Sequence, residues 1–339
     1  MAYQATTATD WDDLLNKLGL FAATAGWTVV YNQTGQLAIE KGNCHIAIGT
    51  KSGENPVSRP GGYQDGIINA ALSTSLNSGP PYQYWGHPGS LVTTEADGDR
   101  CVWNDINGDT QTNVWFFSAA AGEPDYIHCV VQCDGDRYTH FNFGNVDPVG
   151  MTHANVAFCF GLQWYWWNVL SQSNNMEYNQ NRNPMVADDV GGHIYVPGSV
   201  LPVGYPAAGV YKVIDYKTGV MQMFNEEADY WTASPGFILD LFLPFHNQLV
   251  TGGTHLMGIP MFFQETTGGV SHCCLGVIPG VAVANIENHV PATELQYSGD
   301  TWMIFPWKRK GLLANLTGGA DPQPECNTAY FAYAYKKNV

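Results

Sequence analysis

The chain has 339 residues, of which 45% are apolar and only 13% charged, about half the usual charged share, and it carries a formal charge of -16. That balance supplies core material for about one to three domains and excludes a disordered or coiled-coil chain. It also sets a nucleic-acid partner against repulsion over most of the surface, because the basic residues are scattered apart from Lys308, Arg309 and Lys310.

In chain order, the first predicted element is a helix. Asp10 suits an N-cap, Trp11, Leu14, Leu15, Leu18 and Phe21 recur at helical spacing, and Gly26 supplies a stop. The period then changes to two. TVVYNQ (28–33), a turn at Thr34 and Gly35, QLAIEKG (36–42) and CHIAIGT (44–50) predict strands, so residues 10–50 read as a helix feeding a small antiparallel sheet. Residues 51–90 are dense in turn formers and predict a long loop, of the kind that is either functional or held by partner subunits.

Strand-like runs resume with TNVWFFSAA (112–120), YIHCVVQC (126–133), RYTHFNFG (137–144) and VAFCFGLQWYWWNVL (156–170). After a polar gap come HIYVPG (193–198), GVYKVIDY (209–216), FILDLFLPF (237–245), CCLGVIPGVAVA (273–284), TWMIFPW (301–307) and AYFAYAY (329–335). These predict a mainly β fold of antiparallel, sandwich-like sheets with a short N-terminal α-helix, α+β at its N-terminus. The expected division is a helix plus small sheet at 1–52, a β region with long loops at 53–170, and a second β region at 171–339 that is open to continuity with it.

No segment reaches the roughly 18 to 20 uninterrupted apolar residues of a membrane helix, and MAYQATTATD at the start lacks the pattern of a secretion signal. Folding in a cytoplasm, with no membrane partner, is the expectation. The eight cysteines do not form a dense disulfide framework, and neighbouring Cys273 and Cys274 cannot bridge each other without strain. Reduced, mostly buried thiols are expected.

The stretch DYIHCVVQCDGDRYTHFNFGNVD (125–147) places two cysteines and two histidines in one hairpin, a density that raises the question of zinc. With Asp134 and Gly135 at the tip, Cys129 and Cys133 share a face with His140 while His128 points away. Cys133 would lie roughly 13 Å from Cys129 at about 3.3 Å per residue. A structural zinc needs four N or S donors and only two meet here, so the cysteines are read as facing the core.

DINGDTQTN (105–113) imitates a calcium loop through Asp105, Asn107 and Asp109, but Thr110 stands where glycine is wanted and Phe116 where the bidentate glutamate belongs, which favours a tight turn. Asn225, Glu226, Glu227 and Asp229 yield no assignable glycosidase pair. Nucleophile-elbow, Walker and H-E-x-x-H patterns are missing, and the remaining histidines are isolated. No catalytic, cofactor-binding or metal-binding residue is assigned, and no enzymatic activity is expected.

Aromatic clusters remain: PYQYWGHPG (81–89), QWYWWN (163–168) and DYWTASPG (229–236) suit either sugar stacking or subunit interfaces. Alternation puts Trp164 and Trp166 on one face with Tyr165 and Trp167 on the other, so both sides are expected to be buried.

Three stretches together resemble virion structural proteins from the tail and baseplate region of tailed bacteriophages. They are LGLFAATAGWTVVYN (18–32), the central 125–147 segment, and GDTWMIFPWKRKGLLANLTGGADPQPECNTAYFAYAYKKNV (299–339). The matching positions are Gly26 and Trp27; Tyr126, Ile127, His128, His140, Phe141, Phe143 and Gly144; and Trp302, Phe305, Pro306, Ala334, Tyr335 and Lys336. The resemblance implies a virion subunit, assembled in the host bacterial cytoplasm into a homo-oligomer with other tail or baseplate proteins, and carries no catalytic residues. Segments 51–90 and 171–192 are the expected intersubunit contacts. The alternative is a receptor- or carbohydrate-binding module of the tail that meets a cell-surface glycan, with Trp164, Trp166 and Trp231 as its stacking residues.

Overall fold

A computed structural model describes residues 2–50, 65–95, 101–107, 112–133, 137–148, 156–161, 192–197, 209–213, 255–265, 271–306 and 331–338. In chain order these form β1 (Tyr3–Ala8), α1 (Trp11–Thr24), β2 (Thr28–Gln33), β3 (Gln36–Lys41), β4 (Cys44–Thr50), β5 (Asp65–Ser73) and β6 (Cys101–Asn107). Next come β7 (Thr112–Ser118), β8 (Tyr126–Cys133), β9 (Arg137–Asn145), β10 (Ala157–Gly161), β11 (Gly192–Val196) and β12 (Gly209–Val213). The last are β13 (Met257–Glu265), β14 (Ser271–Asn285), β15 (Thr293–Tyr297), β16 (Asp300–Pro306) and β17 (Phe331–Lys336). The protein is mainly β, with antiparallel sheets and, among the described residues, one helix.

The strands make three sheets. The first is ordered β2-β3-β4-β5-β6, the second β1-β7-β8-β9-β10-β11-β12 and the third β13-β14-β17-β16-β15. The second sheet is central. Its Val114, Phe116, Ile127, Cys129, Val131, Phe141, Phe143 and Cys159 share a core with α1 and with Leu37, Ile39, Ile46, Ile48, Ile68 and Leu72 of the first sheet. The residues that alternate with them, among them Phe117, Tyr126, Val130, Phe158 and Ile194, share a second core with Ile278, Val281, Val283, Met303, Phe305, Tyr333 and Tyr335 of the third. Because both faces of the central sheet are covered, β10 is buried at every position and reads as an uninterrupted apolar run rather than an alternation.

The helix forms where the spacing predicts it. Asp10 accepts from the Asp13 N–H at 2.8 Å, which satisfies one of the amides left open at the first turn. Leu14, Leu15, Leu18 and Phe21 are buried, and Phe21 stacks on Phe116 at 5.2 Å between ring centres. Gly26 ends the element with φ 79°, a left-handed conformation that glycine takes without the Cβ penalty. The two hairpins after it match the predicted strands at 28–33, 36–41 and 44–50.

Five strands lie outside the predicted runs: β1, β5, β6, β13 and β15. Residues 65–73, placed by sequence in the long loop, form β5 and pair with β4 from His45↔Ser73 to Thr50↔Ile68. The opening Asp65–Gly66 imitates a turn and Asn69 interrupts the apolar run, but Ile68, Ala70 and Leu72 face one core while Ala71 faces another, so both faces are covered. Residues 3–8, without apolar alternation, form β1 and pair with β7 from Tyr3↔Phe117 to Ala8↔Thr112. Of the stretch 105–113, read as a tight turn between strands, residues 105–107 are the end of β6 in the first sheet and residues 112–113 the start of β7 in the central one. Asp109 and Thr110 lie outside the described residues.

Candidate functional site: the polar seam between the central and third sheets

The density of cysteine and histidine in 125–147 resolves into two separate faces. The ladder pairs Cys133 with Arg137, which leaves three residues between β8 and β9 and sets Cys129 opposite Phe141 and Val130 opposite His140. The predicted two-residue tip would have paired Cys129 with His140. One added residue in the loop moves a whole strand by one register position, and with a side-chain period of two it turns His140 to the other face. His140 therefore lies on the His128 side, against the third sheet, and Cys129 on the side of α1.

Both histidines are sealed between the sheets, at 0% and 1% exposure. His128 Nε2 stands 2.7 Å from Pro279 O of β14, and His140 Nε2 stands 3.0 Å from Pro306 O of β16. A carbonyl can only accept, so each Nε2 carries a hydrogen. The Tyr335 hydroxyl lies 2.7 Å from His140 Nδ1 and donates to it. Asn142, directly across the ladder from His128, is within hydrogen-bonding reach of both His128 and Tyr335.

Aromatic rings enclose this line. Tyr126 stacks on His128 at 4.6 Å, Tyr335 lies 5.3 Å from His128 and 5.7 Å from His140, and Tyr333 meets His140 edge-on at 5.2 Å. Burial pushes the His128 imidazole down to about 4, outweighing the Pro279 and Asn142 contacts that act the other way. Burial also raises the Tyr126 and Tyr335 hydroxyls well above the ordinary phenol range.

At the rim of the seam the C-terminal residues close it. Asn338 Nδ2 reaches Ser118 O at 3.0 Å, Glu123 Oε2 at 2.9 Å and the Tyr126 hydroxyl at 3.1 Å. Lys336 bridges Glu123 at 2.9 Å and Asp300 at 3.1 Å. Burial pushes the Glu123 carboxyl up, but the Ala120 N–H, Lys336 and Asn338 outweigh it and hold the group below its ordinary value. Gly280, with φ 66°, allows β14 to pass this close: a Cβ there would sit 2.1 Å from the Tyr126 ring.

The seam also collects the positions that carry the sequence resemblance. His128, His140, Pro306 and Tyr335 are joined by the contacts above, and Phe305 packs 5.9 Å from Tyr335. Gly144 opposes Tyr126 in the ladder, and Trp27 packs edge-on against Phe143 from the other core at 5.3 Å. Residues separated by up to 195 positions in the chain thus meet, which the spacing within each stretch could not reveal.

Among the described residues no group of three or more histidine, cysteine, aspartate or glutamate side chains stands close enough to hold a metal ion. Cys44, Cys129 and Cys159 are buried and outside any disulfide, and burial raises Cys44 and Cys129 above the ordinary thiol range. In the aromatic stretch 81–89, Tyr84 is buried and Trp85 half-buried against the first sheet, while Tyr82 is 36% exposed and lies 4.8 Å from Tyr31. Trp164, Trp166, Trp231, the acidic group at 225–229 and the basic residues 308–310 lie outside the described residues.

No protein-family model matches the chain, and no curated protein matches it.

Proposed function

We propose that the chain is a structural subunit of a tailed-bacteriophage virion, a tail or baseplate component that works by assembling into a homo-oligomer with other virion proteins. What supports this reading is the fate of the residues that could do chemistry. His128 and His140 are fully buried and each is committed to a proline carbonyl of the facing sheet. They act as fasteners between layers, and they coincide with the positions that resemble the phage proteins.

On this reading the protein is not an enzyme, and its task is to hold a fixed shape against neighbours. Segment 74–95 is laid over the first sheet through Tyr84 and Val92, so it braces its own subunit. Residues 51–64 and 171–191, the remainder of the expected contact segments, lie outside the described residues. Mass spectrometry of purified particles, together with sedimentation of the purified chain, tests the proposal. The expected result is a fixed copy number in the particle and a defined oligomer in solution; a stable monomer missing from every particle defeats it.

A second reading, a receptor- or carbohydrate-binding module, is favoured by one observation: the exposed ring of Tyr82 beside Tyr31. Glycan binding that Tyr82→Ala abolishes without lowering stability would select it.

A further inference from the structure

The line of polar groups through the seam is one hydrogen short. From Pro279 O to Pro306 O it has five contacts: Pro279 with His128, His128 with Asn142, Asn142 with Tyr335, Tyr335 with His140, and His140 with Pro306. Neutral His128, Tyr335 and neutral His140 each bring one hydrogen to the line. Asn142 also brings hydrogen to one side only, because its other side is a carbonyl oxygen. Turning the amide over moves the deficit along the line without filling it.

The deficit falls between His128 and Asn142. His128 Nδ1 and Asn142 Oδ1 are both buried without a partner, although the two residues are directly opposed in the ladder. Both atoms are acceptors, and two buried acceptors on directly opposed residues are complementary to a proton. The surroundings suit the cation that would form. His128 Nε2 already faces the Pro279 carbonyl, and the Tyr126 and Tyr335 rings flank the imidazole at 4.6 and 5.3 Å, within cation–π range.

We propose that the His128–Asn142 contact is a binding site for a single proton, taken up by the folded chain in acid, which completes the hydrogen-bonded line across the two sheets. Opposing this is desolvation, which keeps the site empty at neutral pH. The titratable groups around it are Tyr126 on β8, His140 on β9, and Tyr333 and Tyr335 on β17, with the ionised Glu123, Lys336 and Asp300 at the rim beyond Tyr126. Pro279 and Val281 face it from β14, Phe305 and Met303 from β16. Among the described residues no carboxylate touches the site, and the proton is held by two carbonyl oxygens and two rings.

Nitrogen-15 NMR of the imidazoles, recorded as pH falls from neutral, reads the site directly. The expected result is that His128 gains its Nδ1 proton while the chain stays folded, with both ring N–H signals protected from exchange. Asn142→Asp supplies a carboxylate at the same place and should raise proton affinity at least ten-fold, seen as a rise of the midpoint by a pH unit or more. Asn142→Leu removes the acceptor and should lower the midpoint. The proposal is overturned if His128 stays neutral until the chain unfolds, or if Asn142→Asp leaves the wild-type-like fold with an unmoved midpoint. A neutral-pH crystal structure with a water bridging Nδ1 and Oδ1 would also overturn it, since water supplies the missing hydrogen. Should either variant fail to fold, the wild-type titration alone decides.

Discussion

The two faces of the central sheet are joined to their neighbours by different physics. On the side of α1 and the first sheet the core of the contact is built from leucine, isoleucine, valine and phenylalanine, with the Lys41–Asp125 ion pair at 2.7 Å and the Asn145 Nδ2 bond to Lys41 O at 3.3 Å at its edge. His193 is a polar exception, its Nδ1 accepting from the Leu72 N–H at 3.2 Å. On the side of the third sheet, the apolar contact is threaded by histidine, asparagine and tyrosine bonded to specific carbonyls. Apolar packing is roughly proportional to area and tolerates sliding, whereas a buried polar group loses its partner as soon as the register moves. The first interface supplies adhesion, and the second fixes where one sheet lies on the other.

The largest expected break is on the apolar side. Phe116→Ala removes a fully buried ring that stacks on Phe21 of α1. It should destabilise the chain by about 3–5 kcal/mol, the usual cost of emptying a phenylalanine site. Denaturant titration checks the value, and a loss under about 1 kcal/mol would mean that the helix closes over the gap and the core is looser than its packing suggests.

The seam should respond to pH through His128. His128 is buried and its folded value near 4 lies below the 6.5 of the free side chain, so the unfolded chain binds the proton first. Its contribution is fully present above about pH 6.5 and is lost as pH falls to about 4, where the folded form protonates too. A depression of this size corresponds to about 3 kcal/mol. Unfolding curves at intervals between those values should show the decline, and His128→Gln, which keeps a donor for Pro279, should flatten it. An unchanged slope in the variant would move the pH dependence to another group.

These contrasts also explain what the sequence could reveal. Local periodicity exposed α1 and the strands of both hairpins after it, because each needs only a neighbour a few residues away. β1 escaped because Thr6 and Thr7 break its alternation and its partner β7 lies more than a hundred residues on. The seam escaped for two reasons. Parity from an assumed two-residue turn put His140 on the wrong face, and nothing within residues 125–147 points to Pro279, Pro306 or Tyr335. The stretches quoted for the resemblance contain His128, His140, Pro306 and Tyr335, but nothing in them shows that these residues touch.

The smallest expected effect separates the two interfaces most cleanly. Asp10 caps α1 and is exposed, so Asp10→Ala removes one hydrogen bond at the helix start and should cost about 1 kcal/mol. The buried apolar residues of the helix belong to the first core, and the seam lies across the central sheet from it. If the two interfaces are energetically separable, the variant lowers global stability while the acid midpoint of His128 in the folded chain stays where it was. A midpoint that moved with the cap would mean that loosening α1 shifts the central sheet against the third, and the polar contacts would then report on the whole stack rather than on their own register.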